Sequence, residues 1–304
     1  MADRFQVGVH CSRGVGPRQG GRAQNEDNYL VAQRGRACFL HDATEKSVRT
    51  THRGGLMVVV ADGMGGHDNG ALASAAAVQA MLRLYERGRP RDPSAALIHF
   101  VRSAHDRLRA RAAVGGSTNM GTTLTVAWFF DNTVWWVHVG DSRLYHLRGD
   151  GLSLLTRDHV RSEFARRDGR PVPTMPDALS QSFIFGSRGL GDDAKIRLDA
   201  GLDSGRLRLM PDDRLLLCSD GVSAALHRHD LASILRPDQS GAPSTTATTL
   251  AEAAMEAGTT DNVTALVVHV GANVMQGEET QWHLVDNVPT EPLLQHRPPG
   301  HEDG

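Results

Sequence analysis

Residues 58–70 read V-V-V-A-D-G-M-G-G-H-D-N-G. Four small or β-branched apolar residues run straight into Asp62, and Gly63, Gly65 and Gly66 follow. A buried strand would deliver that carboxylate to its end, where the glycines let the backbone turn sharply. Residues 71–85 are rich in Ala, Leu and Met and contain no Gly or Pro, which predicts a helix. Two readings of Asp62 stay open on this stretch. Asp-Gly is a common turn pair, so Asp62 can be a turn residue in an ordinary strand–turn–helix. A carboxylate at a strand end beside a glycine turn is also well placed to hold a hard cation.

The whole chain narrows the class. Its 304 residues can bury a substantial core in one or two domains. Apolar content of 40% and charged content of 22% suit a soluble globular protein. A formal net charge of -2 supplies no strong field for nucleic acid or an anionic membrane. The three cysteines, Cys11, Cys38 and Cys218, are odd in number and lack paired spacing, against a disulfide framework or a Cys-based zinc site. No apolar run approaches the ~20 residues of a membrane span and no signal-peptide core opens the chain, so a cytoplasmic protein is expected.

Upstream of the central stretch, residues 5–9 alternate as a strand would, and a Gly-rich loop follows. Glu26 and Asp27 then precede a strand-like run, where adjacent side chains face opposite ways. One acid could ligate a metal while the other acts through water, and Arg22 could meet a phosphate. A solvated polar loop is the competing reading. Residues 32–55 are polar and basic, a hairpin or loop between strands. Downstream, residues 93–108 repeat apolar positions at helical spacing. Residues 121–130, 133–139, 144–147 and 152–156 predict a β-meander broken at Asp141, and residues 157–167 a short helix. A Pro-bearing surface excursion spans residues 168–182. Strands at 214–217 and 265–270 flank Asp220 and Asp261, with a helix over 244–257 between them. Residues 272–304 are polar with four prolines and predict a largely disordered tail.

Asp27, Asp62, Asp141, Asp220 and Asp261 therefore all stand where a loop meets a strand. If those strands lie side by side the carboxylates converge, and they repel one another unless cations neutralise them. Ligation by oxygen alone selects Mg²⁺ or Mn²⁺ over zinc. Two such ions can activate water and stabilise displacement at phosphorus, with Arg22 as phosphate clamp.

The motif set resembles the metal-dependent Ser/Thr protein phosphatases of type 2C, the PPM class, in their bacterial form. The matching pieces, in order, are R-x-x-N-E-D at 22–27, D-G-M-G-G at 62–66, G-T-T at 121–123, G-D-S-R-x-Y at 140–145, D-H at 158–159, S-R-G-L-G at 187–191, S-D-G at 219–221 and D-N-V-T at 261–264. Any one is weak; eight in order is specific. The resemblance implies an α+β fold, a four-layer α-β-β-α sandwich of two antiparallel sheets with helices on both outer faces. It implies a catalytic domain over residues 1–271 with a flap at about 161–181, followed by the tail. It also implies two core Mn²⁺ or Mg²⁺ ions bridged by Asp62, with the Gly63 carbonyl, Asp220 and Asp261 as further ligands. Glu26 and Asp27 match the first acidic pair, and Asp141 with Asp220 matches a weaker third site. Arg22 matches the residue that binds substrate phosphate, which water activated at the metals would attack in line. The implied partners are phosphorylated Ser/Thr proteins and a Ser/Thr kinase opposed by a monomeric enzyme.

Some positions depart from the pattern. Met64 stands where relatives from eukaryotes often carry His, a proposed general acid, and S-R-G-L-G replaces T-R-A-L-G. His67 is close by but is read as a solvated loop residue. His138 is read as a strand residue and Cys218 as a small buried apolar one. Two alternatives remain beside the phosphatase: a catalytically silent regulatory module of the same fold, and a two-metal hydrolase of small phosphoesters or nucleic acid. The first would be expected to have lost metal carboxylates, yet Asp27, Asp62, Asp220 and Asp261 are all present. The absence of a basic, aromatic stripe argues against nucleic acid.

Overall fold

The computed structural model describes residues 4–64, 69–114, 120–160, 202–236 and 241–275. Two antiparallel sheets face each other. The seven-stranded sheet contains β2 (Asn28–Gln33), β3 (Arg36–His41), β4 (Thr44–Arg49), β5 (Leu56–Ala61), β8 (Leu124–Phe130), β9 (Thr133–Val139) and β12 (Asp203–Arg208), in the order β12-β9-β8-β5-β2-β3-β4. The five-stranded sheet contains β1 (Phe5–Ser12), β10 (Arg143–Arg148), β11 (Gly151–Leu154), β13 (Arg214–Cys218) and β14 (Val263–Val270), in the order β1-β14-β13-β10-β11. A two-stranded ribbon, β6 (Gly63–Met64) with β7 (Gly121–Thr122), stands beside them.

The apolar runs explain the layering. In β5 every residue is buried. Leu56, Val58 and Val60 face the gap between the sheets, while Met57, Val59 and Ala61 lie under helices. A strand covered on both faces needs no polar alternation, which is why residues 56–61 read as one continuous apolar stretch. β14 is built the same way: Leu266, Val268 and Val270 point between the sheets, and Val263, Ala265 and Val267 point outward under helices. Helices α1 (Asn69–Glu86) and α2 (Pro93–Val114) cover the seven-stranded sheet. The short α3 (Asp220–Ser223) with α4 (Arg228–Leu235) and α5 (Pro243–Glu256) covers the five-stranded one. The result is the expected four-layer α-β-β-α sandwich. Helix α5 comes very close to β1: a Cβ at Gly8 would lie 2.1 Å from the Pro243 carbonyl carbon.

Two expectations need correction. The predicted meander is two hairpins in different sheets. β9 pairs with β8 in one sheet and β10 pairs with β11 and β13 in the other, so the chain changes sheets at residues 140–142. Gly140, at φ +114°, makes that crossing in a conformation that side chains disfavour. The helix expected from residue 157 does not begin there. Residues 157–160 are extended, and the Asp158 carboxylate is paired with Arg143. β12 escapes sequence reading because it is a polar edge strand, half exposed along its length. Its Gly205 leaves room for the Trp136 ring, which a Cβ would approach to 2.2 Å. The flap at 161–181, the Arg188 turn, His67 and residues 276–304 of the tail lie outside the described residues. Residues 272–275 form a 3-10 turn where the tail was expected to begin.

Candidate metal centre

Strand ends from both sheets meet at one edge of the sandwich. Asp27 directly precedes β2 and is 3% exposed. Its Oδ2 accepts hydrogen bonds from Ser219 Oγ at 2.8 Å and Thr264 Oγ1 at 2.7 Å. Its Oδ1 is buried with no hydrogen-bond partner. Asp62 follows β5, and its backbone is clamped by the ribbon. The Thr123 N–H donates to the Asp62 carbonyl at 2.8 Å, Thr122 Oγ1 donates to the same carbonyl at 2.9 Å, and the Asp62 N–H donates to Thr123 Oγ1 at 2.9 Å. Thr123 Oγ1 lies 2.7 Å from Ser142 Oγ, tying this turn to the residue after Asp141. Asp220 opens α3 at the end of β13, and its Oδ1 is likewise buried without a partner.

Asp261 is held by Arg22, whose Nη2 donates to Oδ2 at 2.8 Å, and by the Asn262 N–H, which donates to Oδ1 at 2.8 Å. Asn262 joins the loops: its Oδ1 accepts from the Glu26 N–H and its Nδ2 donates to the Gln24 carbonyl, both at 2.9 Å. The Gly63 N–H donates to the Glu26 carbonyl at 3.2 Å. Gly63 is packed so closely that a Cβ there would lie 2.2 Å from the Gly70 carbonyl oxygen. Glu26 and Asp27 do point apart. The Glu26 carboxylate lies against Gly70 in the first turn of α1, where a Cβ would come within 2.7 Å of Oε2. An acid suits that helix end, because the unsatisfied N–H groups there favour negative charge.

The site is electrostatically tense. Burial pushes Asp62 well above the usual carboxylate range, with Asp27, Asp220, Asp141 and Asp261 adding repulsion. Burial raises Asp27 to about 7, against the pull of the Thr264 and Ser219 hydroxyls. Asp141 rises to about 7 from burial and then from Asp220 and Asp158. Asp220 rises from burial and from Asp261, with Asp62 and Arg22 pulling the other way. Arg22 is pushed up chiefly by its bond to Asp261. Carboxylates gathered under one partly exposed guanidinium, with two buried oxygens lacking partners, fit a hard divalent cation. The carboxylates are gathered but not closed. Among the described residues no three His, Cys, Asp or Glu side chains meet as a finished cage, so water and backbone carbonyl oxygen would complete any coordination.

Several supporting residues carried no role in the sequence reading. Thr122, Thr123 and Ser142 fix Asp62, while Ser219 and Thr264 grip Asp27. The signal was there, since all five sit inside the short runs that carry the family resemblance, beside the Asp or Gly that drew the reading. Arg143 forks onto Asp158, Nε to Oδ1 at 3.0 Å and Nη2 to Oδ2 at 2.6 Å. That brings His159 to Gly140, whose carbonyl accepts from the His159 N–H at 2.7 Å and whose N–H donates to Nδ1 at 3.2 Å. The D-H pair thus braces the crossing that places Asp141. His138 is a strand residue, fully buried and pushed down to about 3 by burial and His159. Cys218 is a buried thiol pushed up to about 12 by burial, which leaves it inert as a nucleophile.

The raised carboxylates make a prediction for metal-free protein. Unfolded histidines are half charged at pH ~6.5, so the buried ones drop out of the balance only above pH ~7.5. Asp27 and Asp141, at about 7 in the fold and ~3.9 when unfolded, then dominate. Their folded values are raised, so the stability they give is lost as pH rises through 7. With Asp62 raised further still, thermal melts in chelator should therefore fall between pH ~7.5 and 8.5, and Mn²⁺ should reverse the fall. A chelated melting temperature that climbs over this window would contradict the charge placement.

A sandwich of two antiparallel sheets between helices, with aspartates from both sheets collected at one edge, is the fold of the type 2C phosphatases. The family model of Protein phosphatase 2C matches residues 33–256, and the chain belongs to that family. It is 31% identical over 222 residues to serine/threonine protein phosphatase PstP of Mycobacterium tuberculosis, covering 73% of this chain but 41% of that protein. The match thus spans less than half of the mycobacterial relative. Protein phosphatase PhpP of Streptococcus pneumoniae is 30% identical over 221 residues, covering 71% of this chain and 86% of PhpP. The solved catalytic domain of PstP in complex with two manganese ions superposes with a TM-score of 0.65 at 28% identity, over 88% of this chain and 98% of that domain. No helix among the described residues is long and apolar enough to cross a membrane.

Proposed function

We propose that the chain is a metal-dependent phosphatase of phosphoserine and phosphothreonine in proteins. The observation that carries this is the cluster of buried Asp27 and half-buried Asp62, Asp141, Asp220 and Asp261, with two carboxylate oxygens lacking partners and Arg22 at its rim. Asp62, Asp220, Asp261 and the Gly63 carbonyl would hold two core ions, Mn²⁺ or Mg²⁺, with Glu26 and Asp27 acting directly or through water. Asp141 with Asp220 would serve a weaker third. Bound divalent ions supply charge neutralisation at the phosphoryl oxygens and an acidified water. The chain's residues do the rest. Thr122 and Thr123 hold Asp62 in place, and the Ser219 and Thr264 hydroxyls keep one Asp27 oxygen occupied so that the other faces the cluster. Arg22, its side chain 57% exposed, can turn from Asp261 to a substrate phosphate without being desolvated. The names of the relatives support phosphoproteins as substrates, and on this reading the protein works as a cytoplasmic monomer that opposes a Ser/Thr kinase. Residues 1–271 would form the catalytic domain, with residues 272–304 appended to it.

The test is turnover of p-nitrophenyl phosphate and a phosphothreonine peptide by chelated, desalted protein, before and after addition of Mn²⁺ or Mg²⁺. Activity should require the metal. Arg22→Ala should raise KM about tenfold or more with a smaller loss of kcat, since a charge-assisted phosphate contact contributes about 1.5–3 kcal/mol. Folded protein that is silent with both metals would overturn the proposal, and an unchanged KM would remove Arg22 from phosphate binding.

A further inference from the structure

Between β1 and β2 the chain makes a closed knuckle. The Gly16 carbonyl accepts from the Gln19 N–H at 3.1 Å and the Gly21 N–H at 2.8 Å, around a 3-10 turn at Pro17–Gln19. A Cβ at Gly21 would lie 2.8 Å from the Gly16 nitrogen, so the two sides are pressed together. Both ends of the knuckle are seated on the Asp261 loop. At the entry, Asn262 Nδ2 donates to the Arg13 carbonyl at 3.4 Å, and a Cβ at Gly14 would lie 2.3 Å from the Asp261 carbonyl oxygen. At the exit, Arg22 is bonded to the Asp261 carboxylate. The knuckle is therefore fixed relative to the metal centre.

An open cavity of about 590 Å³ is lined by this knuckle: Arg13, Val15, Gly16, Pro17, Arg18 and Gln19. Among the described residues, its charged lining groups are two guanidiniums. Both arginines are exposed, and among the described residues no carboxylate is paired with either. The Arg13 guanidinium rests over Gly16, whose φ is +78° and where a Cβ would approach Nε to 3.2 Å. Arg22 is engaged by Asp261, while Arg13 and Arg18 present unmatched positive charge next to a site of opposite sign.

We propose that Arg13 and Arg18 form a second anion subsite, which takes a negatively charged group carried on the same peptide as the phosphoresidue. This rests on the phosphatase reading above and deepens it, by naming phosphosites with an anionic neighbour as the preferred substrate class. A guanidinium fork accepts a carboxylate or a phosphate equally well, so the anion is an Asp or Glu side chain or a second phosphoryl group. Val15 and Pro17 supply the apolar walls that suit the stem of such a side chain.

The experiment compares three phosphothreonine peptides of one sequence, with a flanking alanine, aspartate or phosphoserine, the last as its non-hydrolysable phosphonate. Each is offered to wild type and to Arg13→Gln/Arg18→Gln in the presence of Mn²⁺, and the acidic-to-neutral ratio of kcat/KM is read. Wild type should favour the charged peptides by about three- to tenfold, the range of two exposed ion pairs. The preference should shrink as salt rises, because exposed pairs are screened. In the double variant the ratio should approach one. A preference for phosphoserine alone would assign the subsite to phosphate, and one for both would assign it to anions generally. A wild-type ratio of one, or a ratio unchanged in the variant, overturns the subsite. Fluorescence-anisotropy binding of the same peptides is read beside turnover. If wild type hydrolyses neither p-nitrophenyl phosphate nor any of the peptides, the phosphatase reading fails, and the binding ratio still decides whether the subsite exists.

Discussion

Asp62→Asn is expected to reduce metal-dependent turnover by a factor on the order of 10³ or more while the fold is kept. The side chain sits among four other aspartates, and its pKa is raised by burial and by each of them. The amide has nearly the same size and leaves the backbone clamp from Thr122 and Thr123 untouched. It removes the charge at the point where the acids from both sheets converge. The same substitution should raise the melting temperature of chelated protein, since it deletes a repelling carboxylate from a buried cluster. The two readouts move in opposite directions, which separates loss of metal affinity from loss of structure. Titration calorimetry with Mn²⁺ completes the test. Wild-type activity in Asp62→Asn would remove Asp62 from the centre, and a lowered melting temperature would show that its charge is matched within the fold.

Gly8→Ala is expected to cost about 3 kcal/mol or more, a large part of the stability of a typical domain. The new Cβ would lie 2.1 Å from both the Pro243 carbonyl carbon and the Ser244 nitrogen. These are backbone atoms at the start of α5, so no side-chain rotation relieves the clash. Helix α5 would have to lift from β1, opening the core formed by Leu250, Ala251 and Ala254 against the five-stranded sheet. Gly151→Ala is the control. The nearest atom to its Cβ is the Arg148 carbonyl oxygen at 3.5 Å, an ordinary contact, so its change should stay within about 0.5 kcal/mol. Urea unfolding of both variants checks the pair, and equal midpoints would mean that α5 yields easily at that contact.

How far the sequence reading reached follows from which signals are local. β5, β8 and β14 were legible because burial on both faces leaves runs with almost no polar interruption. α1 was legible from a run rich in Ala, Leu and Met without Gly or Pro, and α2 and α5 from their amphipathic spacing. The change of sheet at residues 140–142 was not, because β9, β10 and β11 are three successive strands either way. Only the pairing of β10 with β13, some seventy positions later, separates two hairpins from a meander. β12 and β4 are polar edges whose residues answer to solvent, and periodicity is weak where neither face is covered. At the site, the aspartates were legible one by one as Asp-Gly and Asp-Asn turns. The Ser219 and Thr264 hydroxyls on Asp27, and the Asn262 bridge, depend on contacts between loops far apart in the chain, and composition around them is ordinary.

Those distant contacts bear on when the protein can first act. Asp27 is gripped by residues 192 and 237 positions further along, and Arg22 meets its partner 239 positions away. β1, at the edge of its sheet, has β14 as its strand neighbour, far along the chain. A chain still being translated has none of these closures and cannot assemble a working centre, however well its early strands have paired. On the phosphatase reading, activity therefore waits until β14 has been made. On that reading, a product cut short before Asp261 is inert, because it lacks both that carboxylate and the hydroxyl of Thr264.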